Sequence, residues 1–292
     1  MILEEHNLKM ENENRSWNLF YLTAKDVEEY LKHDDMVVIP LGSTEQHGYH
    51  LPLGTDSMQG IAIVSMACAK AKILHTPAIW MGYSPHHLIR PGTITVRSET
   101  LKNVGHDVAR SLIHCGFNKI IFYLAHGSNS KVIDPLLRQL RYETGAFVAM
   151  FKPDMEYTLS ITKDIWEGPP EETPGWHSGE QETSQIMAYD EKLVKLENAV
   201  KTRGHAPSFM PERFTKDSAD PWATFDGKYK CLYVPLEHSE VTETGVLGNP
   251  LRGTKEKGAK SFQLQSNVFA DVLNELRKVK IVAKNREFID RA

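Results

Sequence analysis

Four groups able to bind a metal ion crowd into one short stretch of this chain: Glu45, His47, His50 and Asp56, within the run Gly42-Ser-Thr-Glu-Gln-His-Gly-Tyr-His-Leu-Pro-Leu-Gly-Thr-Asp56. Imidazole nitrogen mixed with carboxylate oxygen suits zinc, manganese or iron, and a carboxylate can bridge two ions, so a dinuclear centre is chemically reasonable. Such a centre activates water for attack on a carbonyl. The plainer reading of the same residues is hydrogen bonding within a loop or, for Asp56, a helix cap. What favours chemistry is concentration: the cluster follows one buried-looking run, and a further candidate, His126, follows another.

The elements that must position these groups can be read from the pattern around them. Met36-Val-Val-Ile-Pro-Leu is apolar, β-branched and ended by glycine, as expected for a strand covered on both faces. Before it, Thr23 is placed to cap a short helix. Small and apolar residues recur at helical spacing from Asp56 to Lys72, ahead of a strand-like Ile73 to Trp80. A second helix opens at Ser98 as N-cap and stops at Gly116; the strand Lys119 to Ala125 follows, then a helix over Val132 to Thr144 and a strand from Ala146 to Phe151. This alternation predicts an α/β fold, a mostly parallel sheet flanked by helices on both faces. Ligands of such sheets gather beyond the carboxyl ends of the strands, where Glu45 and His126 both fall.

Beyond this the pattern weakens. Residues 152–173 read as a long irregular loop able to cover a site, a helix begins near His177, residues 201–252 carry little periodicity, and a final amphipathic helix runs from about Lys255 to Val279. The expected organisation is a flexible stretch over residues 1–15 followed by one α/β domain over residues 16–292.

Composition narrows the partners. With 34 basic and 38 acidic residues and no long run of either sign, nothing marks a nucleic-acid footprint. The polar, acidic N-terminus does not resemble a signal peptide and no stretch is apolar enough to span a membrane, so a soluble cytoplasmic protein is expected. Three cysteines without a C-x-x-C pair suggest reduced, mostly buried thiols. No G-x-G-x-x-G, P-loop or G-x-S-x-G elbow competes with the metal reading.

The loop from Gly42 to Asp56 resembles the E-Q-H-G-x-H-L-P-x-x-T-D signature of the creatininase family. Further blocks occur in that family's order: Gly82-Tyr-Ser-Pro-His-His87 with Pro91-Gly-Thr-Ile-Thr, then Ala125-His-Gly-Ser-Asn129, then His177-Ser-Gly-Glu-Gln-Glu-Thr-Ser, and Gly245-Val-Leu-Gly-Asn-Pro before the last helix. The resemblance covers about residues 16–282. It implies metal ligation by Glu45, His47, Asp56 and His126, with Asp56 the bridge between two ions. Glu182 is the favoured further ligand, with Glu180 its rival and a first-turn helix carboxylate the plainer alternative. His177 is implied as the substrate-side acid or base, with Glu180 a second catalytic candidate. Gln46, His50, His87 and Asn129 are candidates for orienting the ligands or meeting the substrate.

Two departures bear on substrate. Creatininase carries a glutamate ligand two residues beyond the histidine that aligns with His126, where this chain has Ser128, and a glutamate before the histidine that aligns with His177, where this chain has Trp176. The pocket should therefore differ, and creatinine itself is a doubtful substrate. The resemblance implies a hydrolase opening a small polar cyclic substrate, with a cyclic amide first. Relatives that open inositol-derived cyclic diketones by carbon-carbon cleavage supply the alternative, and a non-catalytic metal-binding α/β module the remote one. A homo-oligomer, hexameric in other members, is implied by the same likeness.

Overall fold

In the computed structural model, which describes residues 17–167, 176–215 and 222–288, the two apolar runs read from the sequence lie side by side. Strand β1 (Met36–Leu41) pairs in parallel with β3 (Lys119–Leu124) from Met36 opposite Lys119 to Leu41 opposite Leu124, and every residue of both is buried. Strands β2 (Leu74–His75) and β4 (Phe147–Phe151) add in parallel on the two flanks, giving the order β2-β1-β3-β4.

Side chains of a strand alternate between faces, so two buried faces need two covering layers. One layer packs Val37, Ile39, Ile120 and Phe122 against helices α3 (Ser98–His114) and α4 (Ser130–Thr144). The other packs Met36, Val38, Ile121 and Tyr123 against α2 (Thr55–Ala71) and the C-terminal α7 (Lys255–Arg277). The expected sheet with helices on both faces is present, and α1 (Ala24–Leu31) starts with a capping box on Thr23.

Because β1 leads outward to β2 while β3 leads the other way to β4, the strand order reverses between β1 and β3. A crevice opens at their carboxyl ends, the place where open α/β sheets take ligands.

Several expectations are corrected. The strand foreseen over Ile73 to Trp80 shrinks to two residues, because Pro77 cannot donate to the ladder and only an isolated bridge at Ile79 resumes it. Ser98 is the first helical residue of α3 rather than its cap, which is Arg97. Residues 152–173 are not wholly irregular: Asp154 caps a helix, α5 (Met155–Thr162), by accepting the Tyr157 N–H at 2.9 Å. Helix α6 (Glu180–Asp190) starts three residues after His177. The unreadable stretch holds an antiparallel sheet of β5 (Phe214–Thr215), β6 (Trp222–Phe225) and β7 (Tyr229–Tyr233), where β7 is exposed throughout and so carries no apolar periodicity. Cys68 is buried, but Cys115 and Cys231 are exposed. The expected flexible residues 1–15 and the distal part of the 152–173 segment lie outside the described residues.

Helix α7 reaches the site by crossing α6 at Gly258, where an added Cβ would lie 1.9 Å from the Ser184 carbonyl oxygen. Backbone cannot yield there as a side-chain tip can. Gly258→Ala should cost about 3 kcal/mol, the upper end of overpacking, read as a lowered urea midpoint at unchanged m.

Candidate metal centre

The loop between β1 and α2 turns back over the crevice because Gly42 lets it pass against the helix: a Cβ there would sit 2.4 Å from Ser57 Oγ and 2.6 Å from Ser57 Cα. This brings Glu45 and His47 to the first turn of α2, which carries Asp56. His126 arrives from the end of β3 and Glu182 from the first turn of α6.

The geometry is that of two overlapping triads. Glu45, Asp56 and His126 offer ligand atoms within 4.8 Å of one another, and so do His47, Asp56 and Glu182. Asp56 belongs to both: one oxygen is 3.5 Å from His47 Nε2 and the other 3.2 Å from His126 Nδ1. Glu182 lies 3.7 Å from His47 Nε2, and Glu45 3.2 Å from His126 Nδ1.

Both imidazoles are oriented from behind. His47 Nδ1 donates to the Glu45 carbonyl at 3.1 Å, and His126 Nε2 to the Tyr83 carbonyl at 3.2 Å, so each aims its other nitrogen at the carboxylates. Among the described residues, Glu45 Oε2, Asp56 Oδ2 and His47 Nε2 are buried there without a hydrogen-bond partner. Buried polar atoms are rarely left so unless something else satisfies them.

Electrostatics point the same way. Burial drives the Glu45 carboxyl up to about 7, and burial also raises Glu182. Against the cost of burial, Asp56 and Glu182 carry His47 up to about 10, and Glu45 and Asp56 carry His126 up to about 9. Asp56 is itself lowered despite burial, by His47 and His126. A cluster with this much negative charge demands compensating positive charge, and the donor set of three carboxylates and two imidazoles fits divalent zinc, manganese or iron.

Glu180 does not join the cluster. Two residues apart on a helix means about 200° of rotation, so Glu180 and Glu182 point opposite ways. Glu180 is fully buried against Lys257 of α7, with Nζ to Oε1 at 2.6 Å. Separate substitutions should divide the two: Glu182→Gln should weaken metal affinity by about 100-fold or more, whereas Glu180→Gln should keep the affinity and lose about 2 kcal/mol of stability with its charge-assisted hydrogen bond. Metal titration beside denaturant unfolding reads both.

The remaining candidates take distinct places. Gln46 and His87 stand directly behind Glu45, with His87 Nε2 3.2 Å from Glu45 Oε1. His177 stacks on His47 with ring centroids 4.2 Å apart and donates from Nε2 to the Gln46 carbonyl at 2.7 Å. Burial, with His47 and His238 beside it, holds His177 well below the usual imidazole range. His50 bonds Thr183 Oγ1 at 3.0 Å and thereby ties the loop to α6, while Asn129 bridges the Gly42 carbonyl at 2.9 Å and the Tyr83 N–H at 3.0 Å. Asn129 thus braces backbone, and His50 links the loop to a side chain of α6. Trp176 stands at the wall of the cavity, 37% exposed.

Sequence reasoning gave His238 no role, yet it is buried with Gln46, His87 and His177, and it lines the cavity. No local signal marks it, since it sits in a short 3-10 turn 192 positions from Gln46. His86, the other histidine of Gly82 to His87, also lines this cavity, whose volume is about 740 Å³.

Comparison with known proteins identifies the family. The model of a family described as creatinine amidohydrolase, Creatininase, matches residues 21–273. The 3-dehydro-scyllo-inosose hydrolase of Thermotoga maritima is 30% identical over 196 residues, 65% of this chain and 61% of its own length, so the match leaves over a third of that relative unaligned. The creatinine amidohydrolase of Pseudomonas putida is 27% identical over 87% of this chain and 95% of its own length. A mycofactocin precursor peptide peptidase of Mycobacterium tuberculosis is 28% identical over 77% and 79% of the two chains. A crystal structure of creatinine amidohydrolase superposes with a TM-score of 0.69 at 24% identity, covering 90% of this chain and 99% of the other. Among the described residues no helix is long and apolar enough to cross a membrane. On the family match across residues 21–273, this chain belongs to the creatininase family.

Proposed function

We propose that the protein is a metal-dependent hydrolase that opens a small polar cyclic substrate by attack of water on a carbonyl, with a cyclic amide the first candidate. The observation that carries this reading is the pair of triads sharing Asp56, whose central atoms are buried without hydrogen-bond partners among the described residues, beside the cavity that Glu45, Asp56, His126 and Glu182 line. Glu45, His47, Asp56, His126 and Glu182 would hold two divalent ions. Structural neighbours named as a zinc-zinc and a manganese creatininase support zinc or manganese, with iron the further candidate. Bound there, divalent ions supply Lewis acidity, polarising a carbonyl and bringing the pKa of water toward neutrality.

The chain's own residues supply the rest. His177 keeps its Nε2 proton on the Gln46 carbonyl, which leaves Nδ1 as the atom that takes a proton from the attacking water and returns it to the leaving atom. Its lowered pKa keeps it neutral, and therefore able to accept, at neutral pH. Stacking on His47 and His87 fixes the ring plane.

A second reading, hydrolytic carbon-carbon cleavage of an inositol-derived cyclic diketone, is favoured by the likeness to the Thermotoga maritima hydrolase and by Ser128 and Trp176 at positions where creatininase carries glutamate. The cavity has room for more than one small ring, and the likeness to a peptidase adds a peptide amide to the substrates worth assaying. Metal-free protein reloaded with zinc, manganese or iron and assayed against cyclic amides, diketones and a short peptide decides among them. Ring opening of an amide only with metal is the expected result; turnover confined to diketones moves the reaction to carbon-carbon cleavage, and turnover without metal ends the proposal. Assembly as a homo-oligomer belongs to the same reading, with a hexamer the expected form, and a monomer in light scattering would contradict that part.

A further inference from the structure

Behind the metal centre three buried imidazoles, His87, His177 and His238, offer nitrogens within 4.8 Å of one another, the spacing of a tri-histidine metal site. The space between them is already taken. Gln46 Nε2 lies 2.8 Å from His87 Nδ1, 2.9 Å from His238 Nδ1 and 3.3 Å from His177 Nε2, which cannot accept because its own proton goes to the Gln46 carbonyl. The amide orientation is fixed at its other end, where Oε1 accepts the Gly48 N–H at 3.1 Å. Nε2 therefore carries two hydrogens into two imidazole nitrogens, and a donor pair cannot coexist with a cation at the same spot.

The consequence runs outward through both rings. An Nδ1 that accepts from Gln46 has no proton of its own, so each neutral ring carries its proton on Nε2. For His87 that N–H meets Glu45 Oε1 at 3.2 Å. For His238 it meets no acceptor among the described residues: Nε2 is buried without a hydrogen-bond partner, on a residue 5% exposed that lines the cavity. A buried donor left unsatisfied costs stability, and it is the kind of group that active sites hold in readiness for an oxygen atom of the substrate.

We propose that His238 presents its Nε2–H to a substrate oxygen, and that Gln46, by donating one amide hydrogen to His238 and the other to His87, fixes the tautomer that makes this possible. His238 is then a substrate-contacting donor and Gln46 a positioning residue that sets the two rings together. The substrate contact rests on the hydrolytic reading above; the tautomers do not.

The test separates these. In zinc-loaded protein with nitrogen-15 in its histidines, His238 should appear as the Nε2–H tautomer, and its Nε2 resonance should move on titration with acetate, a probe whose oxygen can take the donor. In Gln46→Glu the side chain becomes an acceptor, and His238 should switch to Nδ1–H. The kinetic pair is His238→Asn, whose amide reaches only the Nδ1 position, and His238→Gln, whose amide nitrogen reaches the Nε2 position. Asn should lower kcat on the ring that the wild type opens by about 100-fold, and Gln should recover it to within about tenfold. An Nδ1–H tautomer in the wild type, an Nε2 resonance unmoved by saturating acetate, or equal activity of the Asn and Gln variants would overturn the proposal. Should no ring be turned over, the hydrolytic reading fails while the tautomer and acetate measurements still decide this one.

Discussion

Asp56→Ala should lose bound metal and activity together, with turnover reduced by about 10³-fold or more. The size follows from its position. Asp56 alone is shared by the two triads that pair carboxylates with an imidazole, one oxygen toward His47 and the other toward His126, whereas Glu45 and His47 meet again only in a group with His177. Removing it leaves His47 and His126 facing across a gap, with neither half of the centre complete. Charge stabilisation by the ions is worth several kcal/mol at the transition state, and each 1.36 kcal/mol is tenfold in rate. A readout besides turnover is available, because any ion that binds only the folded state stabilises it: at 100 times the dissociation constant the gain is about 2.7 kcal/mol. Wild-type protein should show a metal-dependent rise in melting temperature, and Asp56→Ala should show almost none. A variant that kept full metal and full rate would remove the assignment of the centre.

Much of this centre was legible in the sequence, for physical reasons that also mark the limits. Strands β1 and β3 are buried on both faces, so their runs are apolar without interruption, and the groups at their carboxyl ends fall into the crevice by topology alone. Glu45, His47 and Asp56 lie on one loop and helix start, and their proximity survives folding because the segment is short. Glu182 was favoured over Glu180 on resemblance alone, since the phase of α6, which decides which carboxylate faces the cluster and which faces Lys257, depends on where that helix starts. Helix α5 was hidden by a β-branched composition, Thr158, Ile161 and Thr162, that lowers helix propensity and is overridden by packing. His238 was beyond reach: its meaning comes only from Gln46, His87 and His177, which approach it from three distant segments.

His177→Ala should give the complementary result, metal retained and turnover lost. No hydrogen bond of His177 goes to a candidate ligand's side chain; its Nε2 is held by the Gln46 carbonyl, and its ring is stacked between those of His47 and His87. Truncation removes the proton-carrying nitrogen but leaves all five carboxylate and imidazole ligands in place. General acid-base catalysis is worth about 10²- to 10⁴-fold, and that loss should fall on kcat with little change in KM, because the proton moves only in the reaction itself. The backbone at this position should survive the change, since His177 pairs with Leu247 through main-chain groups, its carbonyl accepting the Leu247 N–H at 2.8 Å. Metal titration and kinetics on the same preparation therefore separate the roles. If His177→Ala lost metal as Asp56→Ala does, His177 would be a ligand; if it kept both metal and rate, proton transfer would have to pass through another group, and His238 and His86, two further histidines lining the cavity, would be the next to test.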